Sequence, residues 1–149
     1  MSRCDKEAIF SDYVGNPFQL IAKCPICDSK IKKDAIQGSL WAFEKGHIFP
    51  MSKGGPDVYT NLIPLCRSCN RSMGSKNFWD YKLEKGKISP EEARASYIQT
   101  KELINKFDPI CEEIQQNGSR CTNRKFGYIH NWCKSHIPNH IDYMDVVFE

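Results

Sequence analysis

The chain has 149 residues, of which 40% are hydrophobic and 26% are charged, and its formal net charge is +3. These values predict a folded protein with one ordinary domain, or one small core with a second small module. A membrane span is excluded, because no apolar run approaches the ~18–20 residues that it needs. Residues 1–5 lack the apolar core of a signal peptide, so we expect an intracellular, reducing compartment such as the cytoplasm or nucleus.

The charge is distributed unevenly along the chain. Residues 1–89 contain 14 Lys and Arg against 9 Asp and Glu, whereas residues 90–149 contain 7 against 9. A basic first part favours contact with the phosphate groups of nucleic acid. Solvated lysines such as Lys30, Lys32 and Lys33 explain the same charge without any ligand.

Several elements are predicted in the first half of the chain. Residues 5–14 are predicted to form a short helix, capped by the Asp side chain that starts it and stopped by Gly15. Residues 18–22 and 40–49 have strand character. A further helix is predicted over residues 69–81.

The clearest predicted helix follows Ser89. Ser89 is a favourable N-cap, Pro90 takes the first helical position and Glu92 lies three residues after the cap. Apolar side chains then recur at helical spacing until Pro109 prevents continuation. We therefore predict three parts of the chain: residues 1–88, a linking helix at 89–109 and a small module at 110–149.

Two pairs of cysteines share the spacing Cys-x-x-Cys. They are Cys24 with Cys27, and Cys66 with Cys69. Because a two-residue gap lets both sulfurs of a pair face one ion, the pairs predict a tetrahedral Zn²⁺ site. Four thiolates leave no open coordination position, so this zinc is predicted to be structural. A thioredoxin-like motif and two disulfides are the alternatives, and neither predicts two such pairs on either side of a histidine segment.

That histidine segment has a distinctive order. Residues 46–55 read Gly-His-Ile-Phe-Pro-Met-Ser-Lys-Gly-Gly, and residues 61–70 read Asn-Leu-Ile-Pro-Leu-Cys-Arg-Ser-Cys-Asn. With the cysteine pairs, this order resembles the HNH (ββα-metal, His-Me finger) endonuclease family over about residues 24–81. Residues 70–77 also resemble the stand-alone HNH proteins of large DNA viruses.

The resemblance implies roles for three residues. His47 would be the general base, since an imidazole can accept a proton from water near neutral pH. Asn61 would hold the loop and help to orient His47. Asn70 would offer its side-chain oxygen to a divalent cation, Mg²⁺ or Mn²⁺, which would stabilise charge on the phosphate and on the leaving oxygen.

The chain departs from the family pattern at Gly46, where the family usually has a metal-binding acidic residue. Glu44 is the nearest carboxylate, on the same strand face but ~6.7 Å back along the strand, whereas an Mg–O contact is only about 2.0–2.1 Å. Two hypotheses follow. Either Glu44 substitutes for the missing ligand and the protein is a nuclease, or the site is degenerate and the protein binds nucleic acid without cleaving it.

A second set of possible zinc ligands lies near the end of the chain. Its members have the spacing C-x9-C-x11-C-x2-H and are Cys111, Cys121, Cys133 and His136. Three thiolates and an imidazole form a common structural zinc shell, so a second Zn²⁺ is predicted. His130 and His140 are competing fourth ligands, and free thiols with surface histidines are the simpler interpretation.

Basic residues in or beside the histidine segment are candidates for nucleic-acid contact. They are Lys45, Lys53, Arg67, Arg71 and Lys76. On a ββα-metal scaffold such residues contact the phosphate backbone, which positions a protein without reading the base sequence. DNA or another nucleic acid is therefore the predicted partner.

These inferences together predict a small α+β protein. A zinc-stapled ββα-metal (HNH-like) core is followed by a C-terminal helix and a second small zinc module. The predicted function is metal-dependent hydrolysis of DNA phosphodiester bonds, and the alternative is a degenerate relative that only binds nucleic acid. A thiol redox protein is disfavoured, because zinc-bound thiolates exchange poorly. The sequence leaves the oligomeric state open.

Overall fold

A computed structural model describes residues 4–107, 113–122 and 127. The helices and strands of these residues are α1 (Lys6–Val14), β1 (Ile21–Lys23), β2 (Lys30–Lys32), β3 (Phe43–His47), β4 (Leu62–Cys66), α2 (Arg67–Met73), α3 (Phe78–Glu84) and α4 (Pro90–Lys106). Two 3-10 turns, Met51–Lys53 and Tyr59–Asn61, lie between β3 and β4. This mixture of short helices and strands confirms the predicted α+β class.

The strands form two antiparallel pairs. β1 pairs with β2, and β3 pairs with β4 so that Gly46 faces Ile63 and His47 faces Leu62. α2 begins directly after β4. β3, β4 and α2 therefore form the predicted ββα unit.

One hydrophobic cluster joins the two sheets to the helices. Phe10 of α1, Ile31 of β2, Leu65 of β4 and Phe78 of α3 belong to it and are each fully buried. The rings of Phe10 and Phe43 lie 5.6 Å apart between centroids. Because full burial of such a side chain contributes about 1.5–3 kcal/mol, this cluster stabilises the positions of β3, β4 and α2.

The predicted N-caps of the first and last helices are confirmed. The Asp5 carboxylate accepts a hydrogen bond from the backbone N–H of Glu7, and Gly15 ends α1 with a left-handed φ of 74°. The Ser89 hydroxyl accepts from the N–H of Glu92, with Pro90 at the helix start. Both signals are local, since a short polar side chain satisfies the first free N–H groups of its own helix.

The helix predicted over residues 69–81 is wrong. The chain forms α2 and α3 instead, separated at Gly74, whose φ of 56° and ψ of −124° are not helical. The Asn77 side chain then accepts hydrogen bonds from the N–H groups of Trp79 and Asp80 and caps α3. Both helices contribute to the core, α2 through Met73 and α3 through Phe78.

The strand predictions at 18–22 and 40–49 were too long or displaced, because β1 is Ile21–Lys23 and β3 is Phe43–His47. β2 was not predicted. Its lysines suggested a solvated segment, yet Ile31 between them is fully buried and pairs with Ala22. A strand with one apolar residue is stabilised mainly by its partner strand, so its own sequence does not predict it.

The predicted linking helix is α4, and it packs against α3 and against the loop that follows β3. The Trp79 indole N–H donates to the Thr100 hydroxyl at 3.0 Å, and the rings of Phe49 and Tyr97 meet edge to face at 5.0 Å. The proposed module at 110–149 lies mostly outside the described residues, so the division of the chain remains a prediction. Among the helices that are described, none has the length and apolar character required to cross a membrane.

Candidate functional site

The four cysteines of the two Cys-x-x-Cys pairs lie together. The Sγ atoms of Cys24, Cys27, Cys66 and Cys69 are all within 4.8 Å of one another, and those of Cys27 and Cys66 are 3.6 Å apart. A tetrahedral zinc ion with Zn–S distances of about 2.3 Å holds its sulfurs ~3.8 Å apart. The cluster therefore fits a zinc ion.

Each pair occupies a tight turn next to a strand. Cys24 follows β1 and its N–H donates to the Ser29 carbonyl at 2.7 Å, while Asp28 takes a left-handed φ of 62°. Cys66 ends β4, and its sulfur accepts from the N–H of Cys69 at the start of α2. A zinc ion here would connect the β1–β2 sheet to the ββα unit.

The thiols of this cluster differ in acidity. Burial opposes ionisation of Cys27, but hydrogen bonds with Ser29, Cys66 and Cys69 together outweigh it and lower the pKa of the Cys27 thiol to about 7. Burial raises the pKa of the Cys66 and Cys69 thiols above its usual value. Zinc must displace the protons that these two thiols retain at neutral pH, so zinc affinity should rise with pH.

His47, the last residue of β3, contacts an acidic side chain. Its Nε2 lies 3.4 Å from Oδ1 of Asp57, and each side chain is 18% exposed. If Nε2–H donates to this carboxylate, Nδ1 carries the lone pair that can accept a proton. Asp57 was not among the predicted site residues, because the sequence indicated only a loop around it.

Asn61 holds that loop closed. It is fully buried. Its Oδ1 accepts from the N–H of Phe49 at 2.8 Å, and its Nδ2 donates to the carbonyls of Phe49 at 3.1 Å and Pro56 at 2.8 Å. Asn61 therefore fixes the segment that carries Asp57, and Asp57 is the side chain that contacts His47.

The second glycine of the Gly-Gly pair is needed for the same closure. A Cβ on Gly55 would lie 1.9 Å from the Phe49 carbonyl oxygen, which no other residue can accommodate without a backbone shift. Gly54 has a left-handed φ of 87°. The loop thus depends on the two glycines for its path and on Asn61 for its hydrogen bonds.

Glu44 and Asn70 form a second group. The Asn70 amide donates to Glu44 Oε1 at 3.1 Å, and Arg71 Nη2 lies 3.9 Å from Glu44 Oε2. Glu44 is thus directed toward α2. Because successive side chains of a strand alternate between faces, His47 belongs to the opposite face of β3. The described contacts therefore divide the four predicted catalytic residues: Glu44 lies with Asn70, His47 pairs with Asp57, which was not predicted, and Asn61 holds the loop that carries Asp57.

The order and geometry of this region agree with a known family. Residues 24–76 match the family model of the HNH endonucleases. The match spans both cysteine pairs, His47, Asn61 and Asn70, and it covers less than half of the chain. No curated protein and no solved structure matched the chain. The HNH match indicates a nuclease or nucleic-acid-related function, and the likeness to viral HNH proteins stays a prediction.

The space that an acidic side chain would need at position 46 is already filled. A Cβ on Gly46 would lie 2.6 Å from Leu65 Cδ1 and 3.1 Å from the Ile63 carbonyl oxygen. Leu65 is fully buried and has little room to move. The packing of this core therefore requires glycine at position 46, because Leu65 occupies the space that a carboxylate side chain would need.

Gly46→Ala is expected to destabilise the protein by about 1–3 kcal/mol, because the added methyl group overpacks the core. The cost should be smaller in a Leu65→Ala background, where the nearest atoms are removed. A double-mutant cycle of denaturant unfolding measures the difference. Equal costs in the two backgrounds would show that Leu65 does not fill this space.

The basic residues predicted to contact nucleic acid are only partly brought together. Lys45, Arg67 and Arg71 line one cleft that also contains Glu44. Lys53 lies in the exposed turn after β3, and Lys76 is paired with Glu84 at 2.7 Å. Neither of these two lysines lines the cleft.

The second predicted zinc site lies mainly outside the described residues. Cys121 is described and is buried, with 2% exposure. Cys111, Cys133 and His136 are not among the described residues, and neither are His130 and His140. This site therefore remains a prediction from spacing alone.

Proposed function

We propose that the protein is a divalent-metal-dependent DNA endonuclease of the HNH type. The observation that carries this proposal is the 3.1 Å hydrogen bond between the Asn70 amide and Glu44. It supports the hypothesis in which Glu44 replaces the carboxylate missing at Gly46, because it places an acid beside the asparagine of α2. The HNH match over residues 24–76 supports the same reaction class.

Glu44 and Asn70 would hold the Mg²⁺ or Mn²⁺ ion. Both side chains contain oxygen atoms, which these cations prefer, and the Glu44 side chain is 35% exposed. Asn70 now turns its Nδ2 toward Glu44, so its amide would turn over to offer Oδ1 to the ion. The Arg71 side chain would have to move aside for the cation, and the cost is small because it is 62% exposed and such surface pairs at 3.9 Å are weak. When bound, the cation would stabilise negative charge on the phosphate and on the leaving oxygen.

His47 would act as the general base. Its Nδ1 would accept a proton from water as the water oxygen bonds to phosphorus and the bond to the leaving oxygen breaks. Asp57 would hold the Nε2–H and stabilise the imidazolium that forms. This division of roles follows the pairing of His47 with Asp57 at 3.4 Å.

A plasmid-nicking assay tests the proposal. Zinc-loaded wild-type protein should nick supercoiled DNA only with added Mg²⁺ or Mn²⁺, and Glu44→Gln should reduce the rate by at least about 10-fold and raise the metal concentration required. Glu84→Gln changes a surface carboxylate paired with Lys76 and serves as the matched control. Absence of cleavage of both the plasmid and a single-stranded oligonucleotide with every divalent metal, in folded protein, would refute the proposal.

The degenerate nucleic-acid-binding protein is the second candidate, and two observations favour it. Leu65 fills the space of the usual carboxylate at position 46. Arg71 already places a positive charge beside Glu44, where a divalent cation would lie. DNA binding without cleavage in the same assay would support this candidate over the nuclease.

A further inference from the structure

A cleft of about 1010 Å³ opens between β2, β3 and the start of α2. Its charged lining consists of five cations and one carboxylate, namely Lys6, Lys30, Lys45, Arg67, Arg71 and Glu44. Such a surface attracts a polyanion. Glu44 connects the cleft to the proposed cleavage site, because the same side chain accepts the hydrogen bond from Asn70.

The cations of the cleft are crowded. Burial, and then the positive charge of Lys45, lower the pKa of Lys6, while Glu44 partly opposes them. The Lys6 ammonium lies 4.5 Å from the centroid of the Phe43 ring. A phosphate group entering the cleft would relieve the repulsion between Lys6 and Lys45, so the positive charge here favours a ligand with several phosphates.

An exposed tryptophan stands among these cations. Trp41 is 40% exposed, and the ammonium groups of Lys30 and Lys32 lie 5.2 Å and 5.0 Å from its ring centroid. Its carbonyl accepts from the N–H of Lys32 at 3.0 Å, which fixes the backbone beside β2. The preceding residue, Leu40, is 89% exposed. Aromatic rings alternating with cations are the usual platform for single-stranded nucleic acid, because an unpaired base can stack on the ring.

We propose that this cleft binds single-stranded DNA, with a base stacked on Trp41 and phosphates held by Lys6, Lys30 and Arg67. A duplex keeps its base faces inside the helix and offers mainly phosphates, so Trp41 would have no stacking partner there. The proposal rests on the proposed function for the choice of nucleic acid as ligand. It adds the substrate class: a single strand, or a duplex with a single-stranded segment, whose chain passes beside Glu44.

Binding measurements test the proposal without cleavage. Fluorescence anisotropy would compare labelled oligothymidylate with a blunt duplex of equal length, using zinc-loaded protein without Mg²⁺ or Mn²⁺. Wild type should bind the single strand more tightly. Trp41→Ala should weaken that binding by about 5- to 150-fold, the equivalent of the ~1–3 kcal/mol that one stacked base contributes. Trp41→Phe should retain most of the affinity, and duplex binding should be unchanged in both variants.

Salt dependence separates phosphate contact from a general effect of charge. Arg67→Ala should reduce the slope of log K against log salt by about 0.7 for the single strand. Lys101→Ala removes an exposed lysine of α4 that is outside the cleft lining and should leave the slope unchanged. Zinc content and melting temperature of each variant show that it is folded.

Each outcome decides the proposal. Wild-type affinity in Trp41→Ala, or equal affinity of wild type for single strand and duplex, would overturn it, as would tighter binding of oligouridylate than of oligothymidylate. If wild type binds the single strand as expected but cleaves no DNA with any metal, the binding proposal is supported and the nuclease proposal is refuted. If wild type binds neither the single strand nor the duplex, both proposals are refuted.

Discussion

Cys24→Ser is expected to unfold the region of residues 24–76 and to remove one zinc ion per chain. Cys24 is fully buried and its sulfur lies within 4.8 Å of the other three. Structural Zn²⁺ contributes an apparent ~10–16 kcal/mol of folding free energy, whereas small proteins are stable by only about 5–15 kcal/mol. Two-stranded sheets are marginal by themselves, so the hydrophobic cluster alone is not expected to hold β1–β2 against the ββα unit without the metal.

Zinc quantitation and thermal unfolding followed by circular dichroism measure this effect. A strong chelator added to wild type should give the same loss of the cooperative transition. Cys4→Ser is the matched control, because Cys4 is also buried, its sulfur lies 3.8 Å from the Asp57 carbonyl, and it is outside the four-cysteine cluster. Unchanged zinc content and melting in Cys24→Ser would contradict the prediction. Two ions in the wild type would support the second predicted site.

His47→Ala is expected to reduce DNA nicking by about 10²–10⁴-fold, the usual contribution of a general base. The fold should survive, because the side chain lies at the end of β3 and is 18% exposed. Asp57→Asn should cause a smaller loss, since the imidazole remains but the carboxylate that orients it is gone. Single-turnover nicking rates at saturating metal measure both variants.

Two controls distinguish a catalytic role of His47 from a general effect of substitution or a loss of structure. Lys101→Ala changes an exposed residue of α4 outside the cleft lining and should leave the rate close to that of wild type. Melting temperatures of the variants show whether lost activity comes from lost structure. Nicking that survives His47→Ala in folded protein would remove His47 from the mechanism, even if the metal dependence through Glu44 were observed.

The features that sequence predicted well depend on local chemistry. The caps at Asp5 and Ser89 need only a polar side chain and the free N–H groups that follow it. The cysteine cluster was predictable because a two-residue gap brings two sulfurs to one side of a turn. Asn77 carried the same kind of cap signal, and its neglect explains why α2 and α3 were predicted as one helix.

The features that sequence did not predict depend on distant contacts. Asp57 reaches His47 only because Asn61 and Gly55 set the path of the loop, and a loop path is a property of several contacts at once. The direction of Glu44 toward Asn70 depends on how α2 packs on the β3–β4 pair. The role of Gly46 likewise becomes clear only when Leu65 is seen to occupy the space beside it.

The spacing of the zinc ligands has a consequence for a nascent chain. Cys27 and Cys66 are 39 residues apart, so at about 5–20 residues per second a ribosome adds the second cysteine pair ~2–8 s after the first. During that interval the first pair can give an ion only two thiolates, and β3 lacks its partner because β4 ends at Cys66. With zinc in this cluster, metal capture and strand pairing would finish together, and the supply of free zinc during synthesis would determine when the new chain becomes resistant to proteases.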